Sequence, residues 1–175
     1  MVIGFSLEFA TGTPAARVAE ELCRVAETAG LLDGAVATAA PALDGRGPGA
    51  SITGGRLLDG ALVRWGLWVR VLEPTSAPWH VVVTDLGITP AVRVAFRLNK
   101  FADLGAQQDD IVVLTLGLLD LVPGDAVLHR ELKTVWLLRR DGELSLHERD
   151  DLWTPERLAV VGSRPHRRGT PSFAD

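Results

Sequence analysis

Arginine and tryptophan stand at alternating positions along the apolar runs of this chain: Arg64, Trp68 and Arg70, then Arg93 and Arg97, then Trp136 and Arg140 with His147 beyond them. In an extended strand, residues two apart share a face. This spacing therefore predicts an outward sheet surface of guanidinium and indole groups. Arg and Trp carry much of the binding energy at protein interfaces, and an open basic and aromatic sheet can also stack nucleobases. The chemistry expected of such a surface is recognition rather than bond making.

Residues that could make or break bonds are present, but their spacing selects no reaction. Gly45-Arg46-Gly47-Pro48-Gly49 is glycine-rich, yet it neither follows a strand nor opens a helix, so its N–H groups would not converge on a phosphate. There is no Gly-x-Ser-x-Gly elbow, no His-Glu-x-x-His helix and no second cysteine beside Cys23. His129, His147 and Glu148 could in principle bracket a metal, though no ligand spacing singles them out. Asp109 and Asp110 are adjacent, about 100° apart on a helix, and cannot act as an acid/base pair on one substrate. They are expected near a helix start, where carboxylates meet the positive end of the dipole. Together with Asp103 they form one candidate acidic binding patch, and Glu148, Asp150 and Asp151 form another. Neither a cofactor nor a metal is expected, and the chain is not expected to be an enzyme.

The elements that must position these side chains follow from periodicity. Ile3, Phe5, Leu7 and Phe9 alternate with smaller or polar residues and predict a first strand. Thr13-Pro14 predicts a capped helix start, continued by Val18, Leu22, Val25 and Ala29 and closed by Gly30. Residues 31–60, rich in Ala, Gly and Pro, are expected to form a flexible insertion. Alternation over 63–71 predicts a long strand, Trp79–Val83 a short one, and Val92–Leu98 a third. An apolar run over 105–122 predicts the central helix, stopped by Pro123-Gly124-Asp125, with a further strand over 126–132. Asp141-Gly142 between two alternating runs predicts a two-residue hairpin turn that pairs Arg140 with Glu143 and Trp136 with His147. A short capped helix follows Thr154-Pro155, and residues 161–175 are expected to be disordered.

These elements define an α+β class: an antiparallel sheet with two main helices on one face, close to a ferredoxin-like half-open sandwich. A single domain over residues 1–160 suits the length. Net charge is −4, which disfavours a general nucleic-acid binder. No apolar run approaches a membrane span, and the N-terminal residues carry no secretory pattern, so a cytoplasmic location is expected.

The segments Val83-Thr84-Asp85-Leu86-Gly87, Phe96-Arg97-Leu98-Asn99-Lys100, Gln107-Gln108-Asp109-Asp110, Val122-Pro123-Gly124-Asp125-Ala126 and Trp136-Leu137-Leu138-Arg139-Arg140 carry a resemblance. Together they resemble the Sit-type immunity proteins, third group, over roughly residues 1–160 with the 31–60 insertion and the tail outside. The resemblance implies a cytoplasmic immunity protein that binds a cognate interbacterial toxin and neutralises it by occlusion, with no catalytic residue. A sheet-based nucleic-acid or small-ligand binding module is the alternative. The partner surface is expected at Arg64, Trp68, Arg70, Arg93, Arg97, Trp136 and Arg140, or at the acidic Asp109 and Asp110.

Overall fold

A computed structural model describes residues 2–32, 52–75 and 77–173. In chain order the elements are β1 (Gly4–Ala10), α1 (Ala15–Thr28), α2 (Gly54–Asp59), β2 (Ala61–Leu62), β3 (Trp68–Leu72), α3 (Val81–Leu86), β4 (Val92–Arg97) and α4 (Leu104–Leu121). They continue with β5 (Asp125–Arg130), β6 (Thr134–Arg140), β7 (Glu143–His147), α5 (Pro155–Val161) and β8 (His166–Gly169). The strands form one sheet ordered β2-β3-β4-β1-β5-β6-β7-β8, antiparallel except for the parallel β7–β8 pair.

The central part, β1-α1-β3-β4-α4-β5 with sheet order β3-β4-β1-β5, is the ferredoxin-like split βαβ arrangement. Phe5, Leu7 and Phe9 of β1 and Val94 and Phe96 of β4 point to one face. There they pack with Val18 and Leu22 of α1 and Ile111, Leu114 and Leu118 of α4 in the main core. The expected α+β class is what the chain adopts, with α1 and α4 as the two principal helices on one face. The β6–β7 hairpin turns at Asp141 (φ 50°) and Gly142 (φ 80°), the positive-φ pair that a type I′ turn requires. Its register pairs Arg140 with Glu143 and Leu138 with Ser145, as expected.

Several elements differ from the expectation for identifiable reasons. The alternating run 63–71 is not one strand. Val63 closes a hydrogen bond to the Leu67 carbonyl around a short 3-10 turn at Arg64–Gly66, with Trp65 at φ 67° and Gly66 at φ 74°. Alternation survives because Val63 and Leu67 are both core residues on either side of the turn. Trp79–Val83 is also not a strand. The His80 imidazole accepts from Val82 N and starts α3, Gly87 ends it at φ 63°, and these end signals outweigh the β propensity of three valines. Part of the insertion is helical, since α2 occupies 54–59 and buries Leu57; residues 33–51 lie outside the described residues.

At α1 the cap position is Pro14, with no side-chain cap bond, because the Thr13 hydroxyl bonds Thr11 instead. Asp109 and Asp110 lie beyond the first turn of α4 rather than at its start. Asp103 caps α4 by accepting from Ala106 N. The tail is not disordered through its described part. β8 pairs with β7, Arg167 Nε donates to Ser145 Oγ at 2.8 Å, and Arg164 bridges to Asp120. An edge strand is held by main-chain bonds, so its polar composition was no obstacle.

Candidate partner-binding groove on the open half of the sheet

The face of the sheet opposite α1 and α4 has two halves. Over β5 and β6 it is covered by α3: Val82, Leu86 and Ile88 pack on Val127 and Val135. Phe173 adds an edge-on contact to the His129 ring, with centroids 5.5 Å apart. Over β3, β4 and β1 it is concave, with a cavity of about 480 Å³.

Register explains both the walls and the hollow. One cross-strand row runs Trp68, Arg97, Gly4 and the next Arg70, Ala95, Ser6, His129. A third runs Leu72, Arg93, Glu8, Val127. Cross-strand neighbours on a face lie within side-chain reach of one another. Gly4, Ser6 and Ala95 leave the centre empty, while Trp68, Arg70, Arg93, Arg97 and His129 stand around it. The Arg97 guanidinium lies 4.7 Å from the Trp68 ring centroid. Gly60, at φ 101°, also abuts the ring, and a Cβ there would come within 2.8 Å of it. Arg70 Nε donates to the Leu58 carbonyl at 3.1 Å, which anchors that side chain at one nitrogen.

The floor is a buried ion cluster. Glu8 is 1% exposed, and its Oε1 accepts from His129 Nε2 at 3.1 Å and from Arg93 Nε at 3.2 Å, with Arg93 Nη2 at 3.1 Å. His129 Nδ1 accepts from Leu132 N, so the proton donated to Glu8 sits on Nε2. Glu8 Oε2 is buried with no hydrogen-bond partner. Burial works to raise the Glu8 carboxyl, but the His129 hydrogen bond and the Arg93 charge outweigh it and hold it below its ordinary value.

The expected binding residues divide between this groove and other places. Trp68, Arg70, Arg93 and Arg97 come together here. Arg64 does not, because the 3-10 turn carries it to the other face, where it forms a forked pair with buried Asp110 of α4 at 2.5 and 3.2 Å. Trp136 is a core residue, not a surface one. The β5–β6 register slips at Leu128/His129, so the extra residue in β6 turns the Trp136 ring inward against Phe5, 5.0 Å away and edge-on. Arg140 stays on the outer side at the far hairpin, away from the groove. Asp109 is bound by the buried Arg157 at 2.6 Å. With Asp103 capping α4 and Asp110 buried, the first acidic patch is no free anionic surface. In the second, Arg149 pairs with Asp151 and Arg168 with Asp150. Among the described residues no group of three His, Cys, Asp or Glu could hold a metal.

Sequence reasoning missed Glu8 as a site residue. One acid in an otherwise apolar central strand was the available signal, but its alternation reads equally well as a solvated side chain. It also missed an exposed aromatic corner. The Asn99 side chain bonds both the Trp65 carbonyl and Phe101 N, is braced through its own backbone by buried Gln107, and leaves Phe101 88% exposed.

The chain is thus an α+β sandwich with an extended ferredoxin-like core and a basic groove on its open sheet face. The family model described as SitI3-like matches residues 32–157, and the chain belongs to that family. The match takes in the 32–60 segment expected to lie outside the resemblance, and it begins after β1 and α1. Membership points to an immunity-protein role. No curated protein and no solved structure gave a match. Among the described residues no helix is long and apolar enough to cross a membrane.

Proposed function

We propose that this protein is a cytoplasmic immunity protein that binds a cognate interbacterial toxin and neutralises it by occlusion, acting without a cofactor and without catalysing a reaction. The observation that carries the reading, beside family membership, is the ring of Trp68, Arg70, Arg93 and Arg97 around the hollow at Ala95. Interface centres are enriched in these residue types, and a standard interface needs only about 800 Å² from each partner. Trp65 and Phe101, both exposed and tied together through Asn99, add further aromatic surface of the kind interfaces use.

The test is co-expression with the toxin domain encoded beside the gene. Survival of the cells and co-purification of a stable complex are the expected results, whereas killing despite soluble expression of both proteins would remove the immunity reading. A second reading, a small-ligand binding module, is favoured by the size of the cavity, since ligand pockets occupy about 300–1,000 Å³. A thermal-shift screen of metabolites against the purified protein separates the two.

A further inference from the structure

We propose that the groove is a carboxylate-recognition site, which takes acidic side chains from a segment of the protein partner between Arg70 and Arg97, over Ala95. The proposal rests on the immunity reading for who the partner is, but not for the chemistry of the groove.

Charge within the groove is unbalanced in a specific way. Arg93 is neutralised by Glu8. Arg70 and Arg97 are exposed, and no carboxylate among the described residues forms an ion pair with either. Glu131 lines the rim, but it too makes no ion pair with them. Two guanidinium groups therefore line a hollow in which neither has an ion-pair partner among the described residues.

Both are held in place rather than left free. Arg97 lies over the Trp68 ring, and Arg70 is tied at Nε to Leu58 O with no bond among the described residues to its terminal nitrogens. A stacked or anchored guanidinium loses less side-chain freedom when it forms the bidentate bonds that a carboxylate accepts. The register places Arg70 diagonally beside Arg97, one on β3 and one on β4, so a single acidic side chain can reach both.

The floor offers no free cation among the described residues. Arg93 is spent on Glu8 Oε1, and Glu8 Oε2 is buried without a hydrogen-bond partner. An entering carboxylate therefore finds its unpaired guanidinium groups at Arg70 and Arg97. The same geometry argues against a nucleic acid. Stacking needs an open aromatic face, and Arg97 already occupies one face of Trp68. The chain's net charge of −4 opposes a long polyanion far more than a short acidic segment.

The experiment titrates the whole protein with a pentaglutamate peptide, a pentalysine peptide and a deca-uridylate, each by calorimetry at low and raised salt. Two variants accompany it: the pair Arg70→Gln with Arg97→Gln, which removes charge at near-constant size, and Ala95→Leu, which fills the hollow and leaves the charge. Urea unfolding checks that both remain folded. Expected are salt-sensitive binding of pentaglutamate, none of pentalysine, and a loss of about tenfold or more in affinity in each variant. The proposal is overturned if pentaglutamate fails to bind, if either variant binds it as well as the parent, or if deca-uridylate binds more tightly through the same arginines. Co-expression with the toxin then separates the two readings. If the parent chain rescues and the arginine variant rescues equally, immunity stands and the groove falls. If pentaglutamate binds but no toxin is neutralised, the groove stands and immunity falls.

Discussion

Glu8 shows how one side chain joins the sheet to the groove. Its carboxyl is held below the ordinary value of 4.5 by His129 and Arg93 against the opposing effect of burial. The sign follows from linkage: a lowered folded-state value means that the stability contributed by ionised Glu8 is present above the ordinary value and is lost as pH falls through the lower, folded one. Urea midpoints measured from neutral pH downward should therefore drop steeply in the acid range, and the drop should be shallower in Glu8→Gln. An equal drop in both proteins would place the acid sensitivity elsewhere. A second residue-scale effect lies in the β5–β6 turn. Glu131 and Leu132 both sit at positive φ, 51° and 54°, a region that costs an ordinary side chain on the order of 1 kcal/mol. Leu132→Gly should raise unfolding stability by about 0.5–1 kcal/mol, read from the shift in urea midpoint. This turn was not legible in the sequence, since neither residue is one that such a turn ordinarily takes, whereas Asp141-Gly142 announced its own turn by type.

Among the elements, what could be read was periodicity and what could not was interruption. β1, α1, β4, α4, β5 and the β6–β7 hairpin all follow the apolar spacing of their residues. The breaks came from contacts distant in sequence: Asp110 drawing Arg64 across the fold, and a single slipped residue in β6 reversing the direction of Trp136. A shift of one residue moves a strand's side chains to the other face, so half of the expected surface near β6 became core. The face assignment makes a paired prediction. Trp136→Ala should cost about 3–5 kcal/mol, because it empties a packed site between Phe5 and Arg157. Trp68→Ala should cost about 1 kcal/mol or less while weakening partner binding. Chemical denaturation of the two variants side by side checks this, and similar losses for both would contradict the assignment.

At the scale of the whole molecule, the ferredoxin-like centre is extended on both sides, by β2 beyond β3 and by β6, β7 and β8 beyond β5. Removal of residues 164–175 should lower the thermal midpoint by several degrees. It strips β8 from β7, the Arg164–Asp120 pair, and the Phe173 contact on His129. The truncated chain should also self-associate in light scattering, since β7 becomes a bare edge. In the intact protein neither end of the sheet invites another strand. β2 is two residues long, and β8 reads His-Arg-Arg-Gly. Such an architecture discourages fibre-like stacking of copies on one another. Copies of a molecule built this way can be concentrated without joining their sheets edge to edge, so crowding alone gives no route to an extended intermolecular sheet.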